Sequence, residues 1–303
     1  MTESDGARCA LCDAILSASA FGGDTIDGWR IDRCDECGAG TAVPVSLSKD
    51  DFSYDDYGDY LLLEDEAAIK ARVESERAGH GEKFRALVRR FGEGARAIDF
   101  GCGAGYHAQA ANAEGLRCSG VEISDKIRSF AVERVGFTDV FETLDEAPKD
   151  VNAIFMNDVI EHLERDLLRE TLAAMYDRLA PGGVLIGNTP NFRSLNLRLK
   201  KTKDPAVAPP SHIVYFTPRA LDQFLATFGF VAESIKTRGF SSNAFFRPEK
   251  FGRSFLEKPV SASPLWKRPL WLGLKVGFKL GGYVVGAFGA GYQIDFVFRK
   301  PAK

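Results

Sequence analysis

The sequence has no excess of basic charge, no leader-like start and no apolar run long enough to cross a bilayer. Lysine and arginine total 39 against 42 aspartate and glutamate, a formal net charge of −3. Nucleic-acid binders usually carry a basic excess, so the balance speaks against that class. The opening residues, Met-Thr-Glu-Ser-Asp-Gly, contain neither the basic nor the apolar region of a secretory signal, and a cytoplasmic location is expected. The longest uncharged run, Leu280 to Ile294, is glycine-rich. It is shorter than the ~20 residues of a spanning helix, so none is expected. The remaining composition, 45% hydrophobic and 27% charged over 303 residues, suits one large globular domain or two modest ones.

Cysteine is sparse but patterned. Four of the six form two Cys-x-x-Cys pairs, Cys9-Ala-Leu-Cys12 and Cys34-Asp-Glu-Cys37, twenty-one residues apart. In an intracellular chain that pattern reads as metal rather than disulfide. Four thiolates satisfy a tetrahedral structural zinc, and an all-thiolate set implies no open, catalytic position. Reduced surface thiols or a redox pair are the alternatives; no βαβ pattern surrounds either motif to favour the latter. Gly22-Gly23 and Trp29-Arg-Ile31 lie between the pairs and suggest a small β-hairpin. So short a segment has little core, and metal would supply its stability. We place a zinc-binding module at 1–48 and a helical lead-in at 49–95. The lead-in carries Tyr54, Tyr57 and Tyr60, either linker residues or a cover for a ligand, then a helical pattern over 64–91 interrupted near Gly79 and Gly81.

Ala97-Ile-Asp-Phe-Gly-Cys-Gly-Ala-Gly105 organises the rest. It reads as a buried strand carrying Asp99, then Gly101, Gly103 and Gly105 at alternate positions, then a helix from Tyr106 to Glu114. A strand, a glycine turn and a helix open a nucleotide-cofactor site. A second strand, Leu116 to Ile123, brings Glu122 to its tip, where a carboxylate can accept both hydroxyls of a ribose. This fits a dinucleotide or S-adenosylmethionine. Gly-x-Gly-x-Gly in place of Gly-x-Gly-x-x-Gly, Asp99 inside the strand and an apparent antiparallel hairpin at the chain end favour the second.

Ala97 to Gly105 with Glu122 resembles motif I and the acidic loop of class I S-adenosylmethionine-dependent methyltransferases, over about residues 80–300. The resemblance implies an α/β, Rossmann-like seven-stranded sheet of order 3-2-1-4-5-7-6 in a domain spanning 96–303. It assigns cofactor contacts to Asp99, Gly101, Cys102, Gly103, Glu122 and Asn157. Val151 to Met156 reads as strand four, followed by Asn157-Asp158-Val-Ile-Glu161-His162. That segment resembles the small-molecule branch that includes ubiquinone-biosynthesis O-methyltransferases, in some of which matching residues bind a divalent metal. Asp158, Glu161 and His162 are then candidate ligands. Alternatively His162 is a general base, or Glu161 and His162 brace the next helix. Leu179-Ala-Pro-Gly-Gly183 marks the turn into strand five and is shared by the same superfamily.

Asn188-Thr-Pro-Asn-Phe192 superficially resembles the Asn-Pro-Pro-aromatic motif of DNA amino methyltransferases. It follows the wrong strand and has an extra residue, so a DNA target is not expected. His212-Ile-Val-Tyr-Phe216-Thr-Pro218 resembles the small-molecule branch again, where the histidine lies near substrate; otherwise His212 anchors its loop. Thr217 and Pro218 should start a helix. Val231 to Thr237 and Tyr292 to Arg299 read as strands six and seven, with a 240–291 insertion between them. From Arg247 to Lys279 it holds eight basic and two acidic residues, with Trp266 and Trp271. Residues 262–290 are thus a candidate for peripheral contact with the inner membrane face, an oligomer interface or an intramolecular cover.

The expected activity is methyl transfer to a small-molecule oxygen on a sugar, lipid-linked or quinone-like acceptor, with His162 and His212 handling protons. A zinc-ribbon scaffold with a noncatalytic methyltransferase fold, an RNA methyltransferase and a nicotinamide-dependent oxidoreductase are the alternatives. The sequence leaves oligomeric state undetermined.

Overall fold

The computed structural model describes residues 7–16, 18–45, 65–239 and 284–302. The tyrosines at 54, 57 and 60 and residues 240–283 of the insertion lie outside these. In chain order, β1 (Ala18–Ser19) and β2 (Thr25–Ile26) pair antiparallel with β3 (Trp29–Arg33), and β3 pairs with β4 (Gly40–Pro44). The expected hairpin is β2–β3. Its two-residue turn, Asp27-Gly28, has positive φ at both positions, as the right-handed twist of paired strands requires.

One continuous helix, α1 (Glu66–Phe91), follows, with the Asp65 carboxylate accepting from the Ala67 N–H at 3.1 Å. The interruption expected near Gly79 and Gly81 does not occur. A helical glycine costs about 1 kcal/mol relative to alanine. Burying Phe84 and Leu87 contributes about 1.5–3 kcal/mol each, which outweighs it. Both side chains join a core cluster with Ala108, Ala110 and Ala111 of α2 (Tyr106–Ala113). On the rim, Arg77 and Arg85 converge on Glu114 at 2.5 and 2.7 Å.

Between α1 and α2 lies β5 (Arg96–Phe100), with Ala97 and Ile98 wholly buried. β6 (Arg117–Val121), α3 (Asp125–Phe130), β7 (Val140–Phe141), β8 (Val151–Asn157), α4 (Arg165–Arg178) and β9 (Leu179–Pro190) continue the alternation. Pro181-Gly182-Gly183 interrupts β9 as a shift in register. Leu179 faces Val151, and the ladder resumes at Val184 opposite Ala153. After α5 (Leu195–Lys200) and β10 (Val214–Tyr215) come α6 (Pro218–Ala226), β11 (Val231–Arg238) and β12 (Gln293–Arg299).

The large sheet has the order β11-β12-β9-β8-β5-β6-β7. Counted from its other edge this is 3-2-1-4-5-7-6, the order expected from the resemblance. β5, β6, β7, β8 and β9 are parallel to their neighbours within that run.

The described chain forms two compact units. The first comprises 7–45 with 189–223, 235–239 and 284–295; the second comprises 65–188, 224–234 and 296–302. In the first unit β10 adds to β4, pairing Val214 with Thr41 and Tyr215 with Gly40. Its core combines Trp29, Ile31 and Ala42 with Leu197, Val207 and Tyr215. The long 190–216 segment therefore supplies a strand and half of that core. No described helix is long and apolar enough to cross a membrane. Of 262–290, only 284–290 are described: a single helical turn from Val284 that leaves Phe288 83% exposed.

Candidate functional site

In the second unit the parallel strands end together on their carboxyl side, where open α/β sheets bind ligands. The turn after β5 is held from behind. The N–H groups of Gly101 and Cys102 both donate to the Val121 carbonyl, at 2.8 and 3.0 Å. Gly101 has φ +70°, and a Cβ there would lie 2.6 Å from Val159 Cγ2. Gly105 has φ +79°, and its Cβ would collide with the Phe137 ring. These glycines let the turn wind tightly while its backbone is packed from below.

Glu122, at the end of β6, closes the turn. One carboxylate oxygen accepts from the Gly103 N–H and the other from the Ser124 N–H, each at 3.0 Å. Two backbone donors fix the carboxylate, and carboxylate oxygens retain further acceptor positions. A cofactor bearing a vicinal diol fits this donor and acceptor set. Cys102 is half-buried in the turn. Burial, with Asp99 and Glu122 nearby, pushes its thiol well above its usual range. Its contribution is volume and a backbone donor, not a thiolate nucleophile.

Asp99 is buried on β5 and lies 3.3 Å from Nδ1 of His107 on α2. His107 was not anticipated from the sequence. Its ring is packed edge-on by Phe84 at 5.0 Å, Phe155 at 4.9 Å and His80 at 5.1 Å. Neither ring nitrogen makes a well-aligned hydrogen bond, so the Asp99 contact is a close approach off the bonding line. The available signal was that Asp99 and His107 flank the glycine turn; the aromatic enclosure depends on α1 and β8.

Asn157 ends β8 opposite Asn188 of β9. Asp158 follows at φ +51°. Its N–H donates to the Asn188 carbonyl at 3.1 Å, and its carboxylate accepts from Asn188 Nδ2 at 3.3 Å. Glu161, buried, and His162 lie on a 3-10 turn, Ile160–His162. Glu161 and His162 bring ligand atoms within 4.8 Å of one another, while Asp158 is not in that group, so of the expected divalent-metal set these two are brought together and the third is not. Asp158 is instead turned toward Asn188.

His212 belongs to the first unit. Its Nδ1 lies 2.7 Å from the Ala206 carbonyl. A carbonyl only accepts, so Nδ1 carries a proton and donates it to this bond. Downstream, the Thr217 hydroxyl accepts from the Ala220 N–H at 3.1 Å, the cap expected for α6.

In the same unit the four sulfurs of Cys9, Cys12, Cys34 and Cys37 lie within 4.8 Å of one another. Cys9 and Cys37 are 3.6 Å apart, Cys12 and Cys34 3.4 Å. Tetrahedral zinc with bonds of about 2.3 Å separates its sulfurs by about 3.8 Å, whereas a disulfide needs about 2.05 Å. The spacing therefore fits a metal. The electrostatics agree: the bond from Cys37 lowers the Cys9 thiol to about 5, while burial raises Cys12 to about 11. Only a cation lets all four ionise together.

No curated protein matches this sequence. Among solved structures, a SAM-dependent methyltransferase from Archaeoglobus fulgidus is 20% identical, with TM-score 0.45 over 72% of this chain and 94% of that one. A cyclopropane synthase from Mycobacterium tuberculosis is 17% identical, with TM-score 0.44 over 72% and 83%. Phosphoethanolamine N-methyltransferase 2 of Haemonchus contortus is 21% identical, with TM-score 0.46 over 86% and 62%. These likenesses are of fold. The family described as a methyltransferase domain matches residues 74–235, more than half of the chain. That span begins in α1, takes in the glycine turn, Glu122 and the β8 edge, and ends in β11; the chain belongs to the methyltransferase domain family.

Proposed function

We propose that the protein transfers a methyl group from S-adenosylmethionine to an oxygen of a small molecule. The acceptor class is a sugar, lipid-linked or quinone-like intermediate, and Cys9, Cys12, Cys34 and Cys37 hold a structural zinc. The observation supporting the donor is Glu122, its carboxylate fixed by two backbone N–H groups at the end of the glycine turn. S-adenosylmethionine supplies an electrophilic methyl on a sulfonium, so the reaction is an in-line displacement.

The protein's contribution is alignment and proton removal. Glu122 would accept the ribose hydroxyls. Gly101, Cys102 and Gly103 would present a backbone surface free of obstructing side chains. Asp99 would sit beneath them, with Asn157 beside the neighbouring strand end. Deprotonating the acceptor hydroxyl needs a base with a pKa near neutrality, which histidine provides. His162 on the β8 edge and His212, whose Nδ1 donates to the Ala206 carbonyl, are the two candidates. The zinc takes no part in the chemistry, because its four thiolates leave no open position.

Calorimetric titration with S-adenosylmethionine tests the donor. One site per chain is expected, and thermal stabilisation by NAD but not by S-adenosylhomocysteine would overturn the assignment. Untargeted metabolite profiling of a deletion strain tests the acceptor. A small molecule should lose one methylene of mass; loss confined to tRNA or rRNA nucleotides would replace the acceptor class.

A further inference from the structure

A cavity of about 540 Å³ opens within the first unit. Its wall carries Arg33 at the end of β3, Arg193, Arg198 on α5, Lys201 just after it and Arg219 in the first turn of α6. Asp35 and Glu36 are the acidic residues of the lining. Among the described residues, none of the five cations makes a side-chain hydrogen bond or ion pair. Elsewhere arginines are matched to carboxylates: Arg30 to Asp32, Arg90 to Glu233, Arg128 to Glu142, Arg178 to Asp145. Five cations without a side-chain partner among the described residues thus share one concavity. A zinc held by the four thiolates would carry a net charge of −2 beside it, at Cys37; five cations against two carboxylates and that charge would still leave the lining positive.

Two further features shape the site. α6 has nine residues, and Thr217 and Arg219 of its N-terminal turn line the cavity. A helix N-terminus favours an anion through its dipole; Pro218 has no N–H and the Ala220 N–H is held by Thr217, so the dipole is what α6 contributes. Phe21 and Phe192 pack edge to face, with centroids 6.3 Å apart, as an apolar wall. One arginine fork saturates a carboxylate, whereas a phosphate offers more oxygens and up to two charges. Guanidinium groups from several elements around one concavity match the latter. A nucleic-acid strand would need a groove that tracks its backbone, and Asp35 and Glu36 break the positive surface here.

We propose that this cavity binds a phosphorylated small molecule, its mono- or diphosphate among Arg33, Arg193, Arg198, Lys201 and Arg219 and its organic part against Phe21 and Phe192. The site is independent of the methyl-donor turn, so it does not depend on the activity proposed above. The test is titration of full-length, zinc-loaded protein with inorganic pyrophosphate, with sulfate as the control anion. Saturable binding at one site per chain is expected, tighter than sulfate. The double variant R193Q/R198Q should weaken it about tenfold or more, since a hydrogen bond to an ionised partner contributes about a factor of ten. Zinc content and S-adenosylmethionine binding should be unchanged. R219Q, on a different element, should weaken it in the same direction and guards against a local folding defect in the double variant. Absence of saturable pyrophosphate binding, or equal binding by both variants, overturns the proposal. So does capture by phosphatidic acid vesicles or by RNA that pyrophosphate fails to displace.

Discussion

Replacing Glu122 with glutamine is the sharpest test of the donor site. The two carboxylate oxygens each accept one backbone N–H, from Gly103 and from Ser124, at 3.0 Å. Glutamine has one acceptor oxygen and one NH2 group. Whichever way the amide turns, one backbone donor then faces a donor. A hydrogen bond to a charged group is worth about 1.5–3 kcal/mol, and Glu122 is part-exposed, so the lower half of that range applies. The same change removes one acceptor for the ribose. Affinity for S-adenosylmethionine should therefore fall roughly 10- to 100-fold, measured by calorimetry at constant ionic strength. Thermal unfolding without ligand should move by only a few degrees, because the turn keeps its two bonds to Val121. An unchanged affinity would refute the placement of the cofactor at this carboxylate. Equal losses of affinity and stability would reduce Glu122 to a structural support.

Other substitutions probe the remaining elements. Gly105→Ala forces a side chain toward the Phe137 ring in a left-handed conformation and should destabilise the protein by about 2–4 kcal/mol in denaturant titrations. Cys34→Ser should reduce zinc below one per chain by elemental analysis and expose the first unit to proteolysis. Wild-type protein should lose its zinc as pH falls and thiolates protonate, because binding requires the ionised form. Thr217→Ala removes the α6 cap and should cost about 1 kcal/mol. His212→Gln should lower kcat more than KM if His212 removes the acceptor proton, whereas equal binding and turnover would leave it a loop anchor.

Much of the second unit was legible because its signals are local. The glycine turn, the acidic strand tip and the buried run of β8 each declare themselves within a few residues. The Cys-x-x-Cys pairs were legible for a similar reason, since the ligand spacing is part of the motif. What escaped depends on distant residues. β10 is two residues long, and only its pairing with β4, some 170 positions earlier, makes it a strand. The continuity of α1 through Gly79 and Gly81 rests on packing against α2 that local propensity does not contain. His107 became notable only when Phe84 and Phe155 closed around it. The cations of the first-unit cavity come from three separate stretches, at 33, 193–201 and 219, which only the fold brings together.

The pairing of β4 with β10 sets an order of events during synthesis. β4 leaves the ribosome about 170 residues before β10, roughly 10–30 s at ordinary elongation rates. For that interval Trp29, Ile31 and Ala42 lack the Leu197, Val207 and Tyr215 side chains that cover them in the finished protein. The nascent N-terminal sheet also presents β4 as an open edge, the kind that recruits other chains. Early metal capture by the four thiolates would hold the hairpin in register until its last strand arrives. Zinc supply during translation, more than zinc content at equilibrium, would then govern the yield of folded protein.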